Sequence, residues 1–255
     1  RLKKGVKEQG DAFVIHKNRG RKPVHALTDE IQELVISYKK SEKYSKANFS
    51  HFQDLLEEHE SIYLSKPSIY RILVSNGFTS PKKHTRVNHH KRRKRKPQRG
   101  MLVQIDASPH AWFFNGNECS LHGAIDDATG DILALFFTPN ECLEGYWQVM
   151  KTVISNNGIP LAAYADRHTI FRSPQTGKLS LEDELKGKKV NSTQFGRAMA
   201  ELGINLIWAK TAQAKGRIER LWETLQSRLP VELNIAGITD IEEANAFLAT
   251  FIDKY

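Results

Sequence analysis

"YADRHTIF", residues 164–171, sets one aspartate at the end of a short apolar run, Ile159 to Ala165. The run reads as a buried strand, and after Asp166 the pattern breaks into polar and basic residues. An acid in that place, taken alone, is a loop aspartate capping whatever follows. It becomes chemistry only where other carboxylates reach the same point.

Working outward, "MLVQIDAS" (101–108) predicts a strand ending near Asp106, and "CSLHGAIDDATG" (119–130) a second. Its Asp-Ala-Thr-Gly turns the chain into a third, "DILALFFT" (131–138). "EGYWQVMKTVISNNG" (144–158) predicts a helix closed near Gly158, and the opening stretch is then a fourth strand. A helix around 192–203 leads to a fifth strand, "INLIWA" (204–209), and a long helix lies near 214–229. The polar stretch from Phe171 to Val190, with Gly177 and Gly187, is expected to be a mobile loop. Three meandering strands followed by alternating helices and strands imply an α/β fold, a mixed sheet covered by helices. A last helix, "DIEEANAFLATFIDKY", has no role legible beyond packing or assembly.

The long helix contributes Glu219, set in "TAQAKGRIERLWETLQSRL" beside the apolar stripe Ile218, Trp222, Leu225 and Leu229. Two adjacent strands and a helix laid on them could gather Asp106, Asp166 and Glu219. Three anions that close raise one another's pKa, and a divalent cation resolves the conflict. Oxygen ligands with open positions suit Mg²⁺ or Mn²⁺. Two such ions about 4 Å apart activate a water or 3′-hydroxyl and stabilise a leaving oxygen, which is phosphodiester chemistry.

The charge distribution supplies a substrate for it. Residues 1–100 hold 24 Lys and Arg against 10 Asp and Glu, whereas residues 101–255 hold 14 against 19. A basic front that holds a polyanion and an acidic rear that does chemistry is one such division. No apolar run approaches the roughly 20 residues of a membrane helix, and no signal peptide opens the chain. Cys119 and Cys142 lack metal-ligand spacing, so a reducing, intracellular setting is the default. The first residue, Arg1, points to a piece of something longer.

The front predicts three helices. In "LTDEIQELVISYKKS" (27–41), Thr28 is the N-cap and Ile31, Leu34, Val35 and Tyr38 make one stripe. "SHFQDLLEEH" (50–59) opens on Ser50 with Gln53 as a capping box and buries Phe52, Leu55 and Leu56. "SKPSIYRILVSNGF" (65–78) has Ser65 as N-cap, an early Pro67, Gly77 as its stop and Ile69, Ile72 and Leu73 inward. The set matches a helix-turn-helix whose third helix would offer Ser65, Lys66, Ser68 and Arg71 to DNA; a plain three-helix bundle is the alternative. From Lys82 to Arg99 follow ten Lys and Arg and no acid, densest at Lys91, Arg92, Arg93, Lys94, Arg95 and Lys96. Such a block is a solvated linker, a nuclear-address mimic or a phosphate-tracking arm, and beside a helix-turn-helix we read it as the arm.

Residues 101–229 resemble the catalytic core of insertion-sequence transposases related to retroviral integrases, the DDE recombinases. The likeness rests on "VQIDAS", "HGAIDDATGDILALFFTPNECLEGYWQVM", "PLAAYADRHTIF" and "AQAKGRIERLWETLQSRL", whose Gly-Arg-Ile-Glu-Arg run is the most specific piece. The resemblance implies a ribonuclease-H-like mixed five-stranded sheet with flanking helices, preceded by an all-α helix-turn-helix domain. It divides the chain into a helix-turn-helix region (1–80), a basic arm (81–100), the catalytic core (101–230) and a C-terminal helix (231–255). It implies a transposase that binds the ends of a mobile element and cuts and joins DNA, with Asp106, Asp166 and Glu219 holding two Mg²⁺ or Mn²⁺ ions. The implied partners are double-stranded DNA, as element ends and target, and further copies in a homodimer or larger synaptic assembly. The implied location is the bacterial cytoplasm, at the nucleoid, with no membrane. Arg167 and His168 stand where the family pattern has Asn-Gly, and 53 positions separate Asp166 from Glu219, more than in retroviral integrases.

Other residues keep two readings. Arg167, His168, Lys215, Arg217 and Arg220 are expected to hold DNA backbone, although basic helix residues are often only solvated and His168 could make a structural hydrogen bond. Asp126 and Asp127 read as hairpin residues, with a metal role as the alternative. Glu223, one turn past Glu219, is the rival acid on that helix. Trp112 and Phe113 fit core packing better than base stacking. A nuclease without joining, or a DNA-binding regulator with a silent core, are the competing functions.

Overall fold

Side-chain caps set the first helices. In the computed structural model, which describes residues 27–81, 94–166, 168–171, 193–209 and 215–254 and a few isolated positions before residue 27, Thr28 caps α1 (Asp29–Lys40). Asn48 caps α2 (Phe49–Glu60), accepting the His51 amide at 3.0 Å. The expected Ser50–Gln53 box does not form: Asn48, an equally strong capping type, starts the helix earlier, and Gln53 bonds Glu57 instead. Ser65 caps α3 (Lys66–Ser75), with Pro67 in the first turn. Val35, Phe52, Leu55, Leu56, Ile69 and Leu73 make the core of this bundle. Ile31 and Leu34 of the expected α1 stripe turn outward, at 36% and 44% exposure. Lys39 turns inward instead, its ammonium donating to the carbonyls of Tyr44, Ser45 and Ala47 at 3.1, 2.8 and 2.6 Å.

The second body is built on strand alternation. β1 (Val103–His110), β2 (Cys119–Asp126) and β3 (Ile132–Thr138) form an antiparallel meander. β4 (Ala162–Ala165) and β5 (Asn205–Trp208) add in parallel, giving the order β3-β2-β1-β4-β5. This is the mixed five-stranded sheet that the sequence leads one to expect. β4 is shorter than the apolar run that signals it: Pro160 has no N–H for a ladder, and Ile159 and Leu161 are exposed.

Residues of opposite parity face opposite layers. Ile105, Ala124, Ala163 and Ala165 pack under α4 (Leu143–Asn157) and α5 (Gln194–Glu201). Leu121, Ile125, Leu135 and Phe137 pack under α6 (Gly216–Ile235) and α7 (Ile241–Lys254). Asp106, next to Ile105, therefore points toward α6. No helix among the described residues is long and apolar enough to cross a membrane.

The helix expected to end at Leu229 runs on through Pro230 to Ile235. Pro230 removes one backbone donor, but Pro230, Val231, Glu232 and Leu233 are all buried, and packing outweighs local propensity. Val231 joins the core of the front bundle. Asp54–Arg228 (2.8 Å) and the buried His51–Glu232 contact (2.9 Å) tie α2 to the same end of α6. One helix thus belongs to both bodies.

Gly123 on β2 pairs with Asp106 on β1. A Cβ there would lie 2.7 Å from the Trp222 ring and 2.9 Å from Leu135. Gly123→Ala is expected to cost about 1–3 kcal/mol by overpacking, read as a lower urea midpoint with an unchanged slope.

Candidate active site

The parallel pairing of β1 with β4 matches Val103 to Ala163 and Gln104 to Tyr164. Continuing that register by two residues sets Asp166 beside Asp106, on the face toward α6. Two carboxylates so placed need a counter-charge. Lys215, at the N-cap of α6, provides it: its ammonium lies 2.6 Å from Asp106 Oδ1 and 3.8 Å from Asp166 Oδ2. The other Asp106 oxygen accepts the Trp222 indole N–H at 3.1 Å. The other Asp166 oxygen accepts the His168 amide at 2.8 Å.

Glu219 sits in the first turn of α6. Its residue is exposed, yet partial desolvation raises the carboxyl above the usual range, the Asp106 charge raises it further, Lys215 pulls it back and Glu223 adds to the rise. Asp106, Lys215 and Glu219 therefore share one electrostatic neighbourhood. The donor set consists of hard oxygens, as Mg²⁺ or Mn²⁺ prefers. It is not spaced as a ready cage, because among the described residues no three His, Cys, Asp or Glu groups stand in metal-holding geometry. The lysine holds the aspartates at present, and their chemistry fits a divalent ion that takes its place.

The start of α6 is fixed by a buried network. Asp127 is fully buried and accepts from Arg217 at 2.6 Å and from Gln104 at 2.8 Å on one oxygen, and from the Lys96 amide at 2.9 Å on the other. The Gln104 carbonyl in turn accepts the Ile218 amide at 3.4 Å. Asp126 takes the amides of Gly100, Ala128 and Thr129 at 2.8, 2.9 and 2.9 Å. Both aspartates are thus spent on fastening the β2–β3 turn. Gln226 donates to Ser108 at 2.9 Å, anchoring α6 about two turns further along.

Several basic residues assigned to DNA from sequence have structural partners here. Lys215 and Arg217 are drawn inward, as described, because the half-buried Asp106 and the buried Asp127 face them. Arg95 donates to the carbonyls of Ala128 and Thr129 at 3.0 and 2.9 Å, so the end of the basic arm is bound to the core. Lys94 and Lys96 are exposed. Arg220 is exposed, its Nε donating to the Gly216 carbonyl at 2.8 Å. The His168 ring accepts the Ile170 amide at 3.4 Å, a hydrogen bond of the structural kind set beside its expected DNA contact. On α3, Lys66 and Arg71 are exposed, Ser65 is spent on its cap, and Ser68 is half-buried. Lys91, Arg92, Arg93 and Arg167, and the loop expected up to Val190, lie outside the described residues. Trp112 and Phe113 are core residues. Glu223 is exposed and lines a cleft of about 490 Å³ between the front bundle and α6.

Arg217 and Arg220, three residues apart, make a direct comparison. Arg217→Met breaks a buried pair and is expected to cost about 3–5 kcal/mol. Arg220→Met removes an exposed group and is expected to cost less than about 1 kcal/mol. Equal losses in urea denaturation would contradict the network.

The chain is 38% identical over 97% of its length to the transposase for insertion sequence IS1202 of Streptococcus pneumoniae, covering 59% of that protein. It is 33% identical over its whole length to a putative transposase, y4bF, of Sinorhizobium fredii, covering 54% of it. No protein-family model matches the chain. Among solved structures it is similar to the simian T-cell lymphotropic virus intasome in complex with PP2A regulatory subunit B56 gamma, at 16% identity and a TM-score of 0.44 over 76% of this chain and 62% of that one. It is also similar to the HTLV-2 integrase catalytic core in complex with magnesium, at 17% identity and a TM-score of 0.41 over 58% of this chain and 82% of that one. The chain spans a little over half the length of the two transposases. By sequence it is a relative of the insertion-sequence transposases, matched along nearly all of its own length.

Proposed function

We propose that this chain is the DNA-reading and catalytic part of a transposase, and that Asp106, Asp166 and Glu219 hold divalent metal for DNA cleavage and strand transfer. The observation that carries the reading is the sharing of one lysine ammonium by Asp106 and Asp166, with Glu219 in the same field. A cation is demanded at that point, and the transposase relatives give the demand a function.

When bound, a pair of Mg²⁺ or Mn²⁺ ions supplies charge to activate a water or 3′-hydroxyl and to stabilise the departing oxygen. The chain's own residues orient the ligands. Trp222 fixes one Asp106 oxygen, the His168 amide fixes one Asp166 oxygen, and the Arg217–Asp127–Gln104 network fixes the helix turn bearing Glu219. In this proposal the helix-turn-helix region is residues 1–80, and α3 offers Lys66 and Arg71 to the major groove. The basic segment 82–99 tracks phosphates ahead of the core, and two copies or more hold paired element ends. A silent core in a DNA-binding regulator is the second reading, favoured by the lysine already seated between the aspartates.

With the full-length protein, end DNA and Mg²⁺ or Mn²⁺, Asp106→Ala, Asp166→Ala or Glu219→Ala should each abolish cleavage and joining while end binding survives. Full activity in any of them refutes the assignment, and cleavage without joining in the wild type favours the nuclease. Lys66→Ala with Arg71→Ala should weaken end binding and flatten its salt dependence, each lost phosphate contact removing about 0.9 from the log–log slope. An unchanged slope would remove α3 from the interface.

A further inference from the structure

Each carboxylate oxygen of the aspartate pair already has a neighbour. Asp106 gives one oxygen to Lys215 and one to Trp222; Asp166 gives one to the His168 amide and turns the other toward Lys215. Two of the three neighbours, the indole and the amide, are neutral and fixed by the fold. The ammonium is the exception, being charged, borne on a flexible stem and only 7% exposed at its side chain. A cationic side chain so far withdrawn from water needs carboxylate partners, and two neighbouring carboxylates in turn need a counter-charge. A divalent ion binding the same oxygens competes with an ammonium 2.6 Å from one of them, since the two cations repel each other and draw on the same carboxylate charge.

We infer that Lys215 is a built-in counter-ion, holding Asp106 and Asp166 together in the metal-free chain and leaving the site as a divalent ion enters. The inference rests on the proposed metal reading and adds a competition to it: metal affinity is the difference between two cations' hold on one carboxylate pair. The lysine keeps the strands in register before loading, and it sets a threshold of metal concentration below which the site stays closed. It also separates Lys215 from the neighbouring Arg217, whose bond to Asp127 lies outside that exchange.

The test uses Mn²⁺ alone as probe, on the full-length protein without DNA, in the wild type, Lys215→Met, Lys215→Gln and Asp106→Asn. Calorimetric titration should show Mn²⁺ bound about tenfold tighter or more in both Lys215 variants and lost in Asp106→Asn. In EDTA the Lys215 variants should melt at lower temperature than the wild type, and saturating Mn²⁺ should raise their melting point more than it raises the wild type's. Lys215→Gln keeps a donor of similar length, so it carries the comparison if the Met variant does not fold. Equal or weaker Mn²⁺ binding in the variant that folds overturns the competition while leaving the metal site standing. Mn²⁺ binding that is absent from the wild type, or indifferent to Asp106→Asn, overturns the metal reading itself and the inference with it.

Discussion

Two like charges side by side on adjacent parallel strands are the constraint around which this domain is arranged. Asp106 and Asp166 face the same layer, and neither strand can turn its aspartate away without turning its apolar residues out of the core under α4. The fold therefore brings charge to them. Lys215 neutralises the pair, Trp222 donates to it, and Gly123 leaves the space that lets the indole come so near. Without Gly123 the ring would meet a methyl group at a distance that real structures avoid.

Helix α6 carries that arrangement across the molecule. Its 20 residues span about 30 Å, from Lys215 and Glu219 at one end to Val231 and Glu232 at the other. The far end is built into the front bundle through Val231 and the buried His51–Glu232 contact. A displacement of the bundle therefore acts on the helix that bears Glu219. The Arg217–Asp127–Gln104 network resists rotation at the near end, and Gln226–Ser108 does so about two turns later.

The sheet was legible in the sequence because alternation and turn chemistry act locally: Asp-Ala-Thr-Gly after β2, Gly158 after α4, and Ser65 ahead of α3. The limits of that legibility are physical too. Asn48 and Ser50 are both good caps, and only the tertiary position of Phe52 and Leu55 decides between them. The cost of Pro230 within α6 is local, whereas the gain from burying Val231 comes from a bundle 150 residues or more away in sequence. Lys215, Arg217 and Arg220 look alike on paper as basic residues flanking an acid. Their separation into counter-ion, buried anchor and exposed surface depends on which carboxylates the strands deliver to each. Asp126 and Asp127 follow an apolar strand as Asp166 does, and it is the amides of Lys96, Gly100, Ala128 and Thr129, with the Arg217 and Gln104 side chains, that mark them as anchoring acids.

The central claim is that Asp106, Asp166 and Glu219 serve one cation-binding point that Lys215 fills in the metal-free chain. Anomalous diffraction from Mn²⁺-loaded crystals of the protein with a bound DNA end tests it most directly. The account predicts an anomalous peak within ligand distance of Asp106 and Asp166, Glu219 drawn toward the same site, and Lys215 moved off Asp106. A peak elsewhere, or ordered DNA at the site with Lys215 still seated on Asp106 and no metal beside it, would contradict the account.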